Sequence, residues 1–461
     1  MLKSMVKISP NFLEDAVRNL YYSIPDKLRY GKVYRDNFNL LKESQYWTKI
    51  ELEEYQVREL KKIIRHSFET VPYYNKLFKE SGIKPSDIKD FRDLKKIPYL
   101  TKEIIQNNLD ELISSKYKRE KLQYITTGGS TGIPMGFYID RKFDTAREWA
   151  FITHMWSRVG YDINKTNRTV YLRGNSPKSG FFEYRNKSLV LSSYNLKESN
   201  MKKYVELIEE YKPSFIQAYP SSISILSDYI NNNGIDVKLP SLKAIICASE
   251  NIYDFQKKSI EKAFNVRVYS FYGLTEHTCI GGGCEHSNNY HIQSEYGYTE
   301  LINEDGKDVE KEEELGEIVA TGFNNYVMPF IRYRTADIAV NTNEICECGR
   351  GYKLIKRVEG RKQEQLITSD GSRVAMTSII FAQHFKAFGK MKNIQLEQNE
   401  IGKITVKIVE KEKFKQEDIN EVINKMESAC SGNLNVKIKF VDTIARTARG
   451  KHRFLIQNLK L

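Results

Sequence analysis

The chain has 461 residues, 40% hydrophobic and 12% aromatic, with 26 glycines and 11 prolines. That composition excludes a disordered or collagen-like chain and fits a large globular module with a smaller one attached. Lysine and arginine outnumber aspartate and glutamate by 72 to 59, a formal charge of +13. This favours anionic partners, yet the two signs are interspersed in ELKKIIRHSFE and VEKEKFKQED, which reads as a solvated surface and argues against a nucleic-acid partner. No apolar run reaches the ~18 residues of a membrane span, and the first residues lack a signal peptide's apolar stretch. Six cysteines do not make a disulfide framework in a chain this long, so a cytoplasmic protein with reduced thiols is expected.

In chain order, residues 11–120 carry apolar positions at helical spacing, as in YWTKIELEEYQVRELKKIIRHSF, and form a helical lead-in. From Tyr124 onward, strand-like RTVYLRG, SFIQAYP and LKAIICAS alternate with the helical NMKKYVELIEEY and SSISILSDYINNNG. Strand and helix in alternation predict a mixed α/β domain with parallel pairing. Beyond Arg361 the pattern of two strands, a helix and a further strand predicts a separate small α+β domain. The boundary is placed in RVEGRKQEQLI, giving domains 1–360 and 361–461.

The stretch TTGGSTGIP packs three glycines and four hydroxyl residues into Thr126–Ile133. Glycines admit an anion close to the backbone, and amides and hydroxyls donate to phosphate oxygens. It is not a Walker loop, because Gly132 is followed by Ile133 where that motif has lysine. The loop alone reads equally as a glycine-rich surface turn.

The loop is followed in order by YGLTE at 272–276, RYRTADIA at 332–339, VEGRKQEQLI at 358–367 and ARTARGKHRFLI at 445–456. Together these resemble the motifs of the adenylate-forming superfamily of acyl-CoA synthetases and adenylation domains. AYPSS at 218–222, CASEN at 247–251 and CECGR at 346–350 are most similar to the phenylacetate-CoA ligase family. The long helical lead-in further resembles its capsular-polysaccharide CapK branch. The resemblance implies an α/β fold: a large N-terminal ATP- and acid-binding domain with mixed sheets flanked by helices, and a small mobile C-terminal lid.

It also implies an ATP-dependent ligase that joins a carboxylate to the α-phosphate of ATP with magnesium and passes the acyl group to coenzyme A. The positive charge missing from the loop would come from Lys451 of the lid. By motif match, Thr126, Thr127, Gly128, Gly129, Ser130 and Thr131 would hold the phosphates. Tyr272 would stack on adenine, Gly273, Thr275 and Glu250 would complete the nucleotide site, and Glu276 would bind magnesium. Asp337 would take the ribose hydroxyls, and Arg361 would lie at the domain junction near ribose and phosphate. Two departures stand out: Ala336 occupies a position where the family more often has glycine, and the aspartate that the family usually has at the hinge is absent, which leaves Gln363 or Glu364 as the hinge candidates.

Cysteine and histidine offer the soft ligands of a closed zinc site. Cys284, His291, Cys346 and Cys348 match positions that recur in the phenylacetate-CoA ligase-like branch, with His286 the alternative nitrogen ligand. The competing reading is buried free thiols, to which Cys247 and Cys430 are assigned. Tyr171, Tyr219, Tyr269 and Phe271 offer an aromatic wall for the acid, or plain core, and Arg173 a partner for a second polar group on it. Other readings transfer the acyl group to a sugar amine or hydroxyl, adenylate a deazaflavin phenol, or bind a nucleotide without turnover. A homodimer is the base-rate expectation.

Overall fold

The computed structural model describes residues 20–21, 24–127, 135–173, 177, 180–186, 188–193, 195–196, 198–361, 365–371, 373–375, 379, 387, 390–430, 432–445 and 453–459. Two compact units emerge: residues 1–335 with 339–357, and residues 336–338 with 358–461.

The lead-in is helical as expected: α1 (Asp26–Arg29), α2 (Gly31–Ser44), α3 (Lys49–Thr70), α4 (Pro72–Glu80), α5 (Phe91–Leu94) and α6 (Lys102–Asn107). Thr48 starts α3 with a reciprocal cap: its hydroxyl accepts from the Glu51 amide at 3.3 Å, and the Glu51 carboxylate accepts from the Thr48 amide at 2.8 Å. The apolar stripe Leu60, Ile63 and Ile64 of α3 packs with Phe137 and Ile139 of a hairpin, β1 (Gln123–Thr126) and β2 (Gly136–Ile139). Helix α7 (Arg141–Ser157) follows at once, with the Asp140 carboxylate accepting from the amides of Lys142 and Phe143.

The remaining strands are β3 (Thr169–Arg173), β4 (Phe182–Arg185), β5 (Ser188–Ser192), β6 (Phe215–Ala218), β7 (Ala244–Cys247), β8 (Val268–Gly273), β9 (Ile280–Gly282), β10 (Tyr290–Ile292), β11 (Gly297–Ile302), β12 (Leu315–Gly322), β13 (Tyr333–Asn341) and β14 (Leu354–Arg361). They form one twelve-stranded sheet in the order β11-β12-β13-β14-β10-β9-β8-β7-β6-β3-β5-β4. Strands β5, β3, β6, β7 and β8 are parallel, as the alternation of strand and helix requires. Helices α8 (Glu198–Tyr211), α9 (Pro220–Asn232) and α10 (Asp254–Phe264) bury one face of that half. At β8 the pairing turns antiparallel, which makes the sheet mixed, as the resemblance implies.

Arg332 locks the antiparallel half to the lead-in. Its guanidinium donates to both Glu300 carboxylate oxygens, at 3.2 and 3.0 Å, and to the carbonyls of Lys95 and Ile97 at 3.2 and 2.9 Å. The two side chains are only 5% and 2% exposed. Two glycines do a second positioning task nearby. Gly297 and Gly322 face each other across β11 and β12, and the backbone of His277 and Thr278 runs directly over them.

In the other unit, β17 (Met391–Glu400), β18 (Lys403–Glu410), α11 (Gln416–Ala429) and β19 (Asn435–Phe440) give the expected strand–strand–helix–strand order. Two features are additional: a hairpin of β15 (Gln365–Ile367) and β16 (Arg373–Ala375), and β20 (Leu455–Gln457), which joins β17 in parallel. The sheet runs β19-β18-β17-β20.

A methyl group at Gly297 would stand 2.6 Å from the carbonyl oxygens of both Thr278 and Thr321. Gly297→Ala is therefore expected to destabilise the chain by about 2 kcal/mol, read as a lower urea midpoint. An unchanged midpoint would show that the close approach is not required.

Candidate nucleotide site and a Cys3His cluster

The parallel strands β6, β7 and β8 end on one edge, in register through Ala218, Cys247 and Ser270. In such sheets ligands bind at the carboxyl ends of the strands. Tyr219, Ser249–Glu250 and Tyr272–Gly273 all emerge there. Glu250 accepts a hydrogen bond from the Ser221 amide at 3.1 Å, so its carboxylate sits at the N-terminus of α9. Tyr272 is half-buried at the end of β8, opposite Gly281 of β9. Gly273 and Thr275 are exposed, whereas Glu276 is only 8% exposed. The buried Tyr333 hydroxyl donates to the Glu276 carboxylate at 3.0 Å.

The glycine-rich stretch begins from a pinned base. The Thr127 amide donates to the Met135 carbonyl at 2.8 Å, and the Met135 amide to the Thr127 hydroxyl at 3.1 Å. Thr126 is exposed and Thr127 buried. Gly128, Gly129, Ser130 and Thr131 lie outside the described residues, as do Lys451 and the hinge positions Gln363 and Glu364. Asp337 is buried in β13; Arg361 ends β14, and its side chain is outside the description.

Left-handed backbone adjoins three of these acids. Ser249 (φ 71°), His277 (φ 55°) and Ala336 (φ 62°) each adjoin one of Glu250, Glu276 and Asp337. Left-handed backbone costs a residue with a Cβ about 1–2 kcal/mol, and it gives a physical reason for glycine to be the commoner choice at position 336.

Two contributors were missed in the sequence. Tyr333 belongs to the RYRTAD motif but was not singled out, and its contact with Glu276 bridges 57 residues. Asp144 stands in the first turn of α7, directly after the hairpin; an acid there is a common helix-start feature and carried no separate signal. It is 4% exposed, and its Oδ2 has no hydrogen-bond partner among the described residues. Burial pushes its carboxyl up to about 7, against the pull of His277 and Arg147.

The acid-binding residues proposed from sequence do not form one wall. Tyr269 is fully buried in the core, and Phe271 packs edge-on to Trp156. Tyr171 and Arg173 face a different cavity.

The cysteines and histidine do converge. Cys284, His291, Cys346 and Cys348 bring their ligand atoms within 4.8 Å of one another. Cys284 follows β9, His291 lies in β10, and the Cys346–Cys348 loop precedes β14, so the register of β9, β10 and β14 assembles them. The Cys284 and Cys346 sulfurs are 3.4 Å apart, and His291 Nε2 is 3.2 Å from the Cys348 sulfur. Tetrahedral zinc with Zn–S near 2.3 Å sets its ligands about 3.8 Å apart, so the set fits that ion. Nδ1 of His291 is 3.1 Å from the Asn289 carbonyl, an outer contact that leaves Nε2 for the sulfurs. Burial, reinforced by Arg158, lowers His291 to about 4, which keeps the imidazole neutral and able to ligate. His286 is exposed and contributes only its backbone amide to the Cys284 sulfur. Cys247 and Cys430 are buried, as the core reading required.

A family model for the CapK C-terminal domain matches residues 366–458. Protein CapK of Staphylococcus aureus is 26% identical, with all of both chains covered. The phenylacetate-coenzyme A ligase of Escherichia coli is 25% identical over 69% of this chain and 72% of that one. Among solved structures, 2-hydroxyisobutyryl-CoA ligase in its postadenylation state matches the fold at a TM-score of 0.71 and 16% identity, covering 90% of this chain and 92% of that one. The chain thus resembles the adenylate-forming superfamily, phenylacetate-CoA ligase-like and of the CapK branch. No helix among the described residues is long and apolar enough to cross a membrane.

The folded Asp144 value, about 7, lies above the ordinary 3.8. The folded chain therefore holds a proton that the unfolded chain releases, and this stabilisation is present below about pH 4 and lost as pH rises to 7. Asp144→Asn should remove that loss: from pH 5 to 7.5 the parent's unfolding free energy, read from urea titrations, should fall relative to the variant's by a few kcal/mol at most. Parallel curves would contradict a buried, proton-holding carboxyl.

Proposed function

We propose that this acyl-CoA-ligase-like enzyme activates a carboxylic acid with ATP, forming an acyl adenylate and pyrophosphate, and transfers the acyl group to coenzyme A. The observation that carries the reading is the buried Glu276 carboxylate, held by Tyr333 just beyond Tyr272 at the carboxyl edge of the parallel strands. Attack on the α-phosphate brings two anions together and expels a third, so the site must supply positive charge and hydrogen-bond donors. Glu276 would hold magnesium, which supplies charge neutralisation at the phosphates. The hydroxyls and amides of residues 126–131 hold the phosphates, Tyr272 stacks on adenine, and Glu250, Gly273 and Thr275 border the nucleotide. Asp337 accepts from the ribose hydroxyls, with Arg361 nearby.

Residues 361–461 act as the lid that delivers Lys451, over a domain of residues 1–360 that binds ATP and acid. The protein works in the cytoplasm, as a homodimer and without nucleic acid. A second reading ends on a sugar amine or hydroxyl in surface-polysaccharide assembly. It draws support from the end-to-end match to CapK, where the phenylacetate-coenzyme A ligase of E. coli covers only 69% of the chain.

The test is AMP and pyrophosphate release with ATP and magnesium over a panel of aryl, fatty, hydroxy and amino acids, with and without coenzyme A. AMP release that depends on one acid and on coenzyme A is the expected result; adenylate formation indifferent to coenzyme A would favour the sugar acceptor. Lys451→Ala should slow adenylation by about 10²–10³-fold, and full activity in that variant would sink the mechanism.

We further propose a structural zinc ion at Cys284, His291, Cys346 and Cys348. Protein purified without added metal should carry one zinc per chain by elemental analysis. Cys348→Ser should lose it and melt at lower temperature; a metal-free parent of equal stability would refute the site.

A further inference from the structure

The second face of the large sheet is covered in two ways. Over β6 and β7, Phe151, Met155 and Trp156 of α7 pack on Phe215, Ala244 and Ile246. Over β3 and β5 the roof is the α1 segment, and beneath it lies a cavity of about 260 Å³. Thr169, Tyr171 and Arg173 of β3 face this cavity, while Val170 and Leu172 point to the helical core on the opposite side. Tyr30, Trp149 and Tyr161 line it with aromatic surface. The residues assigned to the nucleotide site do not line it.

The charges around the cavity are unevenly matched. Arg29 pairs with Asp26, Lys165 with Asp162 at 3.4 Å, and Arg185 with Glu183 at 2.6 Å. Asp26 also accepts from the Tyr161 hydroxyl at 2.5 Å. Arg173 has no acidic partner among the described residues; its guanidinium lies 5.2 Å from the Tyr171 ring centroid. Two more polar atoms are buried without a partner among the described residues, the indole N–H of Trp149 and the side-chain oxygen of Asn186. Buried polar groups are nearly always satisfied, so unmet ones beside a cavity call for something that fills it.

We propose that this cavity binds a small hydroxylated organic anion, separately from the nucleotide site. A guanidinium fork matches the paired oxygens of a carboxylate or phosphate, which assigns the anionic group to Arg173. Trp149 offers only a donor and the Asn186 oxygen only an acceptor. Hydroxyl groups serve both, since each donates once and accepts as well. The aromatic walls take the carbon faces of the ligand. The volume falls below the roughly 300–1,000 Å³ of pockets for drug-sized ligands, so the occupant is a single ring or a shorter chain. This site is independent of the proposed adenylation, and the inference goes beyond that reading.

The test is calorimetric titration of the full chain, without ATP or magnesium, with ribose 5-phosphate, ribose and inorganic phosphate. Ribose 5-phosphate should bind, and ribose and phosphate alone should each bind at least about tenfold more weakly, because each makes only part of the contacts. Arg173→Ala should weaken ribose 5-phosphate by at least about tenfold, with Arg173→Lys retaining part of the affinity. Trp149→Phe keeps an aromatic ring but removes the N–H, and should weaken binding severalfold while melting within about 2 °C of the parent. Saturating ATP should not displace ribose 5-phosphate. Competition by ATP would place the ligand at the nucleotide site and overturn the proposal. Equal binding of ribose and ribose 5-phosphate, unaltered binding by Arg173→Ala, or no binding of any probe would also overturn it.

Discussion

The buried Arg332–Glu300 pair is the contact on which the antiparallel half of the large unit depends. Burying two charges is expensive, and their attraction repays it only when geometry is good and the remaining donors are met. Here Arg332 meets both oxygens of Glu300, two carbonyls of the lead-in, and lies 4.2 Å from the Tyr99 ring centroid. Its own amide donates to the Thr321 hydroxyl of β12 at 3.0 Å. One side chain therefore ties β11, β12 and the segment after α5 to the start of β13. Tyr333 is the next residue, and its hydroxyl holds Glu276. Removing one partner of such a pair typically costs about 3–5 kcal/mol, and here the loss would fall on the residue that orients the carboxylate.

Much of the parallel half was readable in the sequence because β5, β6 and β7 are each a short apolar run followed by an amphipathic helix. SFIQAYP, LKAIICAS and NMKKYVELIEEY became β6, β7 and α8 with small shifts at their ends. The antiparallel half was not readable. Strands β9 and β10 have three residues each, and β9 consists of Ile280, Gly281 and Gly282, all buried. They carry no alternation of exposed and buried side chains, so the period that betrays a strand is absent. The additional strand β20 is equally short and pairs across 59 residues, from Leu396 to Leu455.

The candidate site was legible by chemistry more than by pattern. The ligand chemistry of cysteine and histidine, with the resemblance to the phenylacetate-CoA ligase-like branch, suggested the Cys3His group, and the register of β10 against β9 and β14 brings His291 rather than His286 to it. The acids Glu250, Glu276 and Asp337 came from motif order, yet the left-handed backbone beside each is invisible in sequence because Ser249, His277 and Ala336 are not glycine. Such strain, about 1–3 kcal/mol per residue, persists only where surrounding structure over-determines it. At His277 that determination is visible: Gly297 and Gly322 admit its carbonyl and the Thr278 backbone where any larger residue would collide.

Helix α7 begins at the foot of the hairpin that frames the glycine-rich stretch, and nine residues after its Asp140 cap it presents Trp149 to the cavity under α1. At 1.5 Å per residue those two points are about 13 Å apart on one continuous rod. A ligand that draws on Trp149 and one that draws on the hairpin thus pull on the same rigid body. Whatever free energy the rod transmits between them must be symmetric: if occupancy of the cavity changes nucleotide affinity by some factor, the nucleotide changes affinity for the cavity's ligand by that same factor.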